Sequence, residues 1–290
     1  MGIRIFCLLF FSMIFTLCMG QQKKNREAVP AERYMTNGLF SDWESLDFSD
    51  SALVHSPVFI EQLVSESIDR LKELSPEKAA SVVKGVMRKA STDSVLFVRL
   101  FDLYEKFLYS PNAPERDETL FVYVLEAVLE APILDEVGKI RPAYLLEQAL
   151  KNREGELAAD FTYILNDGKK GTLYQTKADC LLIFFYDPDC HTCQDTMNRL
   201  ATSPIILEWI RSSRLGVLAI YPDEDLEAWK KYVQYMPVGW INAYDSEQIL
   251  KNEELYDLKV LPTLYLLDKD KKVLLKETTV GRVEKYLNGF

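Results

Sequence analysis

The sequence predicts two successive architectures: an all-α region, then an α/β region built on a central mixed sheet flanked by helices. Two observations carry this expectation. Up to about residue 150 apolar residues recur at the three- and four-residue spacing of helices, whereas beyond about 155 they gather into short aromatic and aliphatic runs. Those runs first alternate with helical stretches and then end in a hairpin, an order that yields both parallel and antiparallel strand neighbours. At 290 residues the chain is long enough for two ordinary domains, each burying its own core.

The first 20 residues read as a leader rather than as part of the fold. Arg4 supplies a positive start, and Ile5–Leu17 is dominated by Phe, Leu and Ile. That run is shorter than the roughly 20 residues a spanning helix needs. It ends at Cys18-Met19-Gly20, which places small residues at −3 and −1 of a cut before Gln21. A secretory signal peptide over 1–20 is expected, and with it an exported, periplasmic protein. Lipid attachment at Cys18 is the minor alternative, because Leu17 is larger than the residue that usually precedes a lipidated cysteine. Residues 21–37 are polar and basic and read as a linker.

From 38 to 152 we expect a helical domain. Ser56-Pro57 and Ser75-Pro76 each set a capping serine before a proline at the first helical position, where a missing N–H costs nothing. Phe59, Ile60, Leu63, Val64, Ile68 and Leu71 then recur at helical spacing. A second stripe runs through Val95, Leu96, Val98, Leu100, Phe101, Tyr104, Phe107 and Leu108, and stops at Ser110-Pro111-Asn112-Ala113-Pro114. Leu120, Phe121, Val124, Leu125, Val128 and Leu129 form a third. All three read as core faces of a bundle.

The α/β region covers 153–290. Asp160–Leu165 and Leu173–Thr176 flank the turn Asn166-Asp167-Gly168, which predicts an antiparallel hairpin. Leu181–Tyr186 is a continuous apolar run, as expected of a strand buried on both faces. Next come a helix, a strand over Leu215–Tyr221 and a helix over Leu226–Tyr235. Strands at Trp240–Ala243, Thr263–Leu267 and Val273–Leu275 follow, with a last helix near Arg282–Leu287.

Chemistry points to Cys190-His191-Thr192-Cys193, which follows the buried strand and opens a helix. A helix N-terminus offers free N–H groups and a positive dipole end, both of which favour a thiolate on the first cysteine. Cys190 is therefore the expected nucleophile. Cys193, one turn inward, is the expected resolving thiol, and the two would form a redox-active disulfide. Asp187, Asp189 and Asp195 oppose a thiolate and His191 favours one, so the direction of electron transfer stays open. Zinc is disfavoured, since beyond the leader there are only Cys180, Cys190, Cys193 and the two histidines, His55 and His191. No metal and no other cofactor is expected. Cys180 lies at the far end of a strand whose six residues extend about 20 Å, beyond the roughly 7 Å a disulfide allows, and reads as a buried, inert thiol.

The run Leu181-Leu182-Ile183-Phe184-Phe185-Tyr186, the loop Asp187-Pro188-Asp189, the CHTC motif and Val260-Leu261-Pro262-Thr263 together resemble the exported thiol–disulfide oxidoreductases of the TlpA/ResA type, within the thioredoxin superfamily. The resemblance implies a thioredoxin-like fold. It implies a cis peptide at Pro262, with Leu261 and Pro262 offering main-chain pairing to a substrate beside the cysteines. His191 and Thr192 complete the active-site loop. Trp43–Asp50 and Leu108-Tyr109-Ser110-Pro111-Asn112 are similar to a helical domain of unknown function that precedes such modules in Gram-negative exported proteins. The implied partners are thiols and disulfides of exported proteins, with electrons from a membrane-embedded donor. Three positions depart from relatives: Asp189 replaces a common tryptophan, Phe184 a buried acid, and Thr196 an acid found in some ResA-type proteins.

The net charge is −10, of which residues 41–150 carry −9, and no long Lys/Arg cluster occurs. Nucleic acid and anionic membranes are therefore disfavoured as partners. A reductase, or general disulfide exchanger, is the leading expectation. A peroxidase is an alternative, although no Pro-x-x-x-Thr-x-x-Cys motif is present. A third reading is a binding module whose thioredoxin-like part is a scaffold. A copper carrier is disfavoured because no histidine follows His191 to complete a site.

Overall fold

Alternate residues of one central strand point into two separate cores, and that division organises the sheet region. The computed structural model describes Phe48 and residues 56–111, 113 and 116–289. The expected leader, the linker, Cys7, Cys18 and nearly all of Trp43–Asp50 lie outside the described residues. The described chain falls into two compact units, one ending at Glu73 and the other spanning Leu74–Phe290.

In the first unit, α1 (Pro57–Lys72) buries Phe59, Ile60, Leu63, Val64, Ile68 and Leu71 along one face, as the spacing requires. The second unit opens with α2 (Pro76–Ala90), α3 (Ser94–Leu108), α4 (Glu118–Glu130) and α5 (Glu136–Leu150). Ser56 and Ser75 do stand at N-cap positions before proline, but neither side chain caps its helix. Aspartates do that work instead: Asp93 accepts from Val95 N and Leu96 N at 2.9 and 3.0 Å, and Asp117 from Leu120 N at 3.0 Å. Asp93→Ala should therefore cost about 1 kcal/mol in urea unfolding, and Ser75→Ala a few tenths at most. Equal losses would show that the extra side-chain bonds of Asp93 are irrelevant.

The second apolar stripe needs correction. Leu96, Leu100, Phe101, Tyr104 and Leu108 are buried, but Val95 and Val98 are 60% and 49% exposed. They lie off the face that Phe97 and Leu103 share with the core, a distinction that apolar character alone hides.

Beyond α5 the strands are β1 (Thr162–Leu165), β2 (Lys170–Thr172), β3 (Cys180–Phe185), β4 (Leu215–Tyr221), β5 (Ile241–Tyr244), β6 (Thr263–Asp268) and β7 (Val273–Leu275). The helices among them are α6 (His191–Thr202), α7 (Pro204–Arg211), α8 (Leu226–Tyr232), α9 (Ile249–Asn252) and α10 (Val280–Asn288). They form one sheet in the order β2-β1-β5-β4-β3-β6-β7, with β3–β4 and β4–β5 parallel and the other pairs antiparallel. The expected mixed sheet flanked by helices, following an all-α region, is what the chain builds. Leu182, Phe184 and Tyr186 face a core shared with Cys193, Met197 and Leu200. Leu181, Ile183 and Phe185 face another with Phe161, Tyr256 and Tyr265.

The hairpin is real, but its second strand is Lys170–Thr172 rather than Leu173–Thr176. The turn closes with Gly168 N on Leu165 O and Leu165 N on Lys169 O, both 2.9 Å, so pairing begins at once. Leu173–Thr176 instead bends, with Thr176 N on Leu173 O at 3.1 Å. Helix α7 was not anticipated, although Ser203-Pro204 repeats the helix-start signal of the two earlier Ser-Pro pairs.

Candidate active site

Cys190 and Cys193 lie beyond the C-terminal end of β3, where α6 begins. The loop joining them to the strand is tied down at each step. Tyr186 N donates to Ile220 O at 3.1 Å, Asp187 Oδ1 accepts from Asp189 N at 2.7 Å, and Cys190 N donates to Asp187 O at 3.2 Å. Gln194 Nε2 reaches back to Pro188 O at 3.0 Å. Asp187 thus shapes the turn that delivers the first cysteine, a role beyond the electrostatic one its charge suggests.

Cys190 is the N-cap of α6, and Cys193 N donates to its Sγ at 3.1 Å. A negative sulfur in this place meets an N–H group and the positive end of the helix. Cys190 is half-buried and open to a partner, whereas Cys193 is 1% exposed. Burial, above all, pushes the Cys193 thiol far above its ordinary value; its bond with Cys190 adds to this, and the Asp187 backbone opposes it. Both cysteines are free thiols in this structure.

The Leu261–Pro262 peptide is cis, and Cys190 Sγ lies 3.6 Å from Leu261 O. Thr263 Oγ1 donates to Val260 O at 2.5 Å and locks the turn. The structure therefore brings Cys190, Cys193, Leu261 and Pro262 together from two distant parts of the chain. His191 and Thr192 are exposed on the first turn of α6. Thr196 lines the same cleft as Pro262. Phe184 is fully buried, stacked on Tyr186 at 5.3 Å and edge-on to Trp240 at 6.1 Å.

Cys180 corrects one expectation. It is half-buried rather than buried, because it opens β3 at the end of the strand away from the cysteine pair. Partial burial, more than the adjacent Asp179, still raises its thiol above the ordinary value. Among the described residues no cluster of three or more His, Cys, Asp or Glu side chains has the arrangement of a metal site. No described helix is long and apolar enough to cross a membrane.

Several residues beside this site gave no sequence signal. Tyr232 packs against Tyr186 with ring centroids 5.9 Å apart and donates to Met197 Sδ at 3.7 Å. Its hydroxyl is held above its ordinary value by burial and then by the two cysteines. Arg116, from the connection into α4, meets Glu118 at 2.5 Å and also Glu277. Tyr109 donates to Asp257 at 2.8 Å, two residues before Lys259 and five before Pro262. Apart from Glu118, two residues from Arg116, each partner is remote in sequence, so no local motif marks these residues.

Comparison with known proteins agrees with this geometry. Residues 178–273 match a family model described as thioredoxin-like, and residues 40–152 match a domain of unknown function (DUF5106). A crystal structure of a thioredoxin-like protein from Bacteroides caccae is 42% identical, with a TM-score of 0.80, covering 85% of this chain and 89% of its own. The C-terminal domain of an uncharacterized protein from Bacteroides fragilis is 49% identical over 47% of this chain and 98% of its own, at a TM-score of 0.47. The thioredoxin domain of a thiol–disulfide oxidoreductase from Bacteroides vulgatus is 19% identical, covering 48% of this chain and 97% of its own, at a TM-score of 0.42. No curated protein matches. With a buried strand delivering a CxxC to a helix start, a cis-proline beside it, and a relative alike over most of both chains, the chain belongs to the thioredoxin-like proteins.

Proposed function

We propose that this protein is a thiol–disulfide oxidoreductase that reduces disulfides of exported proteins through Cys190 and Cys193. The observation that carries the reading is the inequality of the two sulfurs. Cys190 is reachable, caps a helix and lies against the Leu261 carbonyl, whereas Cys193 is enclosed directly behind it. That asymmetry suits a two-step exchange. The Cys190 thiolate attacks a substrate disulfide, forming a mixed disulfide and releasing one substrate thiolate. Cys193, after losing its proton, attacks Cys190 Sγ, forming the Cys190–Cys193 disulfide and releasing the second substrate thiol. The substrate gains two electrons and two protons, and an external dithiol donor must restore the pair.

Burial keeps Cys193 protonated in the reduced pair, so it loses its proton only as it attacks Cys190 Sγ. The same burial predicts slow resolution of the mixed disulfide. Action after export, on envelope proteins and with electrons from a membrane-embedded donor, rests on the leader-like residues 1–20.

Trapping tests the reading. Cys193→Ser should hold Cys190 in a mixed disulfide with its natural partner, visible as a band on non-reducing gels that dithiothreitol dissolves. Recovery of no cysteine-containing envelope partner, from cells in which the variant is folded and exported, would count against the model.

A further inference from the structure

Beside the cysteine pair, against Thr192, Leu261 and Pro262, lies a cleft of about 510 Å³ whose wall is shared between the sheet region and the helical region preceding it. Thr192 and Pro262 line it beside Cys190, and Lys259 and Glu277 line it from the loops around β6 and β7. Pro111 and Arg116, from the connection between α3 and α4, complete it. The helical region also fastens the loops that carry the other lining residues. Tyr109 donates to Asp257 at 2.8 Å, and Lys259 Nζ sits over the Tyr109 ring, 3.8 Å from its centroid. Arg116 binds Glu277, and Glu118 meets Lys276 at 2.8 Å. Glu277 adopts a φ of +42°, in the left-handed region that glutamate rarely occupies, and its carboxylate is held there by Arg116.

We propose that the helical region is the substrate-reading element of this protein, because Pro111 and Arg116 line the same cleft as Leu261 and Pro262, the residues against Cys190. The inference rests on the redox reading above and names what selects its substrate. The occupant is an extended polypeptide segment flanking the reactive disulfide. Pro262 and Pro111 both line the cleft, so a chain occupying it from the disulfide onward meets both. Threonines and charged side chains supply most of the lining residues, and they offer hydrogen-bonding groups to the main chain of such a segment. A small disulfide needs only Cys190 and does not fill this space.

The test compares two disulfides, with dithiothreitol as the reductant of the enzyme. Insulin presents a disulfide on a polypeptide, and 5,5′-dithiobis(2-nitrobenzoate) presents one without. Pro111 is exposed and joins no ion pair, so Pro111→Trp adds bulk to the cleft without unpairing a buried group. The ratio of kcat/KM for insulin to that for the small disulfide should fall about 10-fold, the effect of one lost contact region. The paired change Arg116→Met with Glu277→Gln, which strands no charge, should lower the same ratio. A ratio unchanged in Pro111→Trp would overturn the inference while leaving the redox reading intact. A wild-type chain that exchanges neither disulfide would overturn the redox reading, and the inference with it.

Discussion

Cys190→Ser will abolish disulfide exchange while leaving the fold in place. The expected loss is roughly 10³-fold or more, because removing a nucleophile removes the whole covalent route rather than one contact. Serine is among the best N-cap residues, and its Oγ can accept the Cys193 N–H that Cys190 Sγ now accepts at 3.1 Å. The helix start therefore survives the change, and the urea midpoint should move little. Insulin reduction with dithiothreitol measures the activity, and urea unfolding followed by circular dichroism measures the fold. The companion Cys180→Ser should keep full activity, since that thiol opens β3 at the end away from the pair. Retained exchange in Cys190→Ser would sink the thiol–disulfide reading and leave a scaffold in its place.

The part of this site carried by local pattern was legible from residues alone. Leu181–Tyr186 is apolar at every position, because alternate side chains enter two different cores, and that pattern marks a strand buried on both faces. Such a strand ends where its C-terminal residues deliver a loop, and four residues separate Phe185 from the CHTC motif. Strand and helix bounds after it came close for the same reason, Leu215–Tyr221 and Val273–Leu275 among them. What failed to show were features decided by partners far along the chain. Val95 and Val98 look like core residues until the packing of α3 shows which face is turned inward. Ser56 and Ser75 have the right identity and position for capping, but their hydroxyls do not make the bond. The Tyr109–Asp257 bond joins residues 148 apart, and no spacing rule reaches that far. Nor does a resemblance built on CHTC and Pro262 report on Arg116, whose partner Glu277 lies in the connection to α10.

Lys276→Met should cost roughly 3–5 kcal/mol of stability, the loss expected when one partner leaves a buried charge network. Lys276 is 5% exposed, and its ammonium is the meeting point of two structural debts. One is the C-terminal end of α5, whose last carbonyls have no partner within the helix. Lys276 Nζ donates to Gln148 O at 3.3 Å, Ala149 O at 3.2 Å and Lys151 O at 2.6 Å. The other is a pair of part-buried carboxylates: Glu118 at 2.8 Å and Glu277 at 4.0 Å share the pocket, with Arg116 as the remaining cation among these four. Burial first, and then Glu118, already lifts the Glu277 carboxyl above its ordinary value, so losing a cation pushes it further toward the neutral form. Methionine restores the aliphatic stem and its packing, which isolates the charge as the cause. Urea midpoints at constant slope measure the change, and Lys276→Met combined with Glu118→Gln should recover part of it, because the second substitution removes the acid left unpaired. A loss below about 1 kcal/mol, the value of an exposed pair, would mean that solvent reaches this joint and that helical region and cleft loops are held by apolar packing alone. A full loss would tie the stability of α5 to the same loop that sets Glu277 at the cleft, so that one lysine supports both the fold and the surface presented to a substrate.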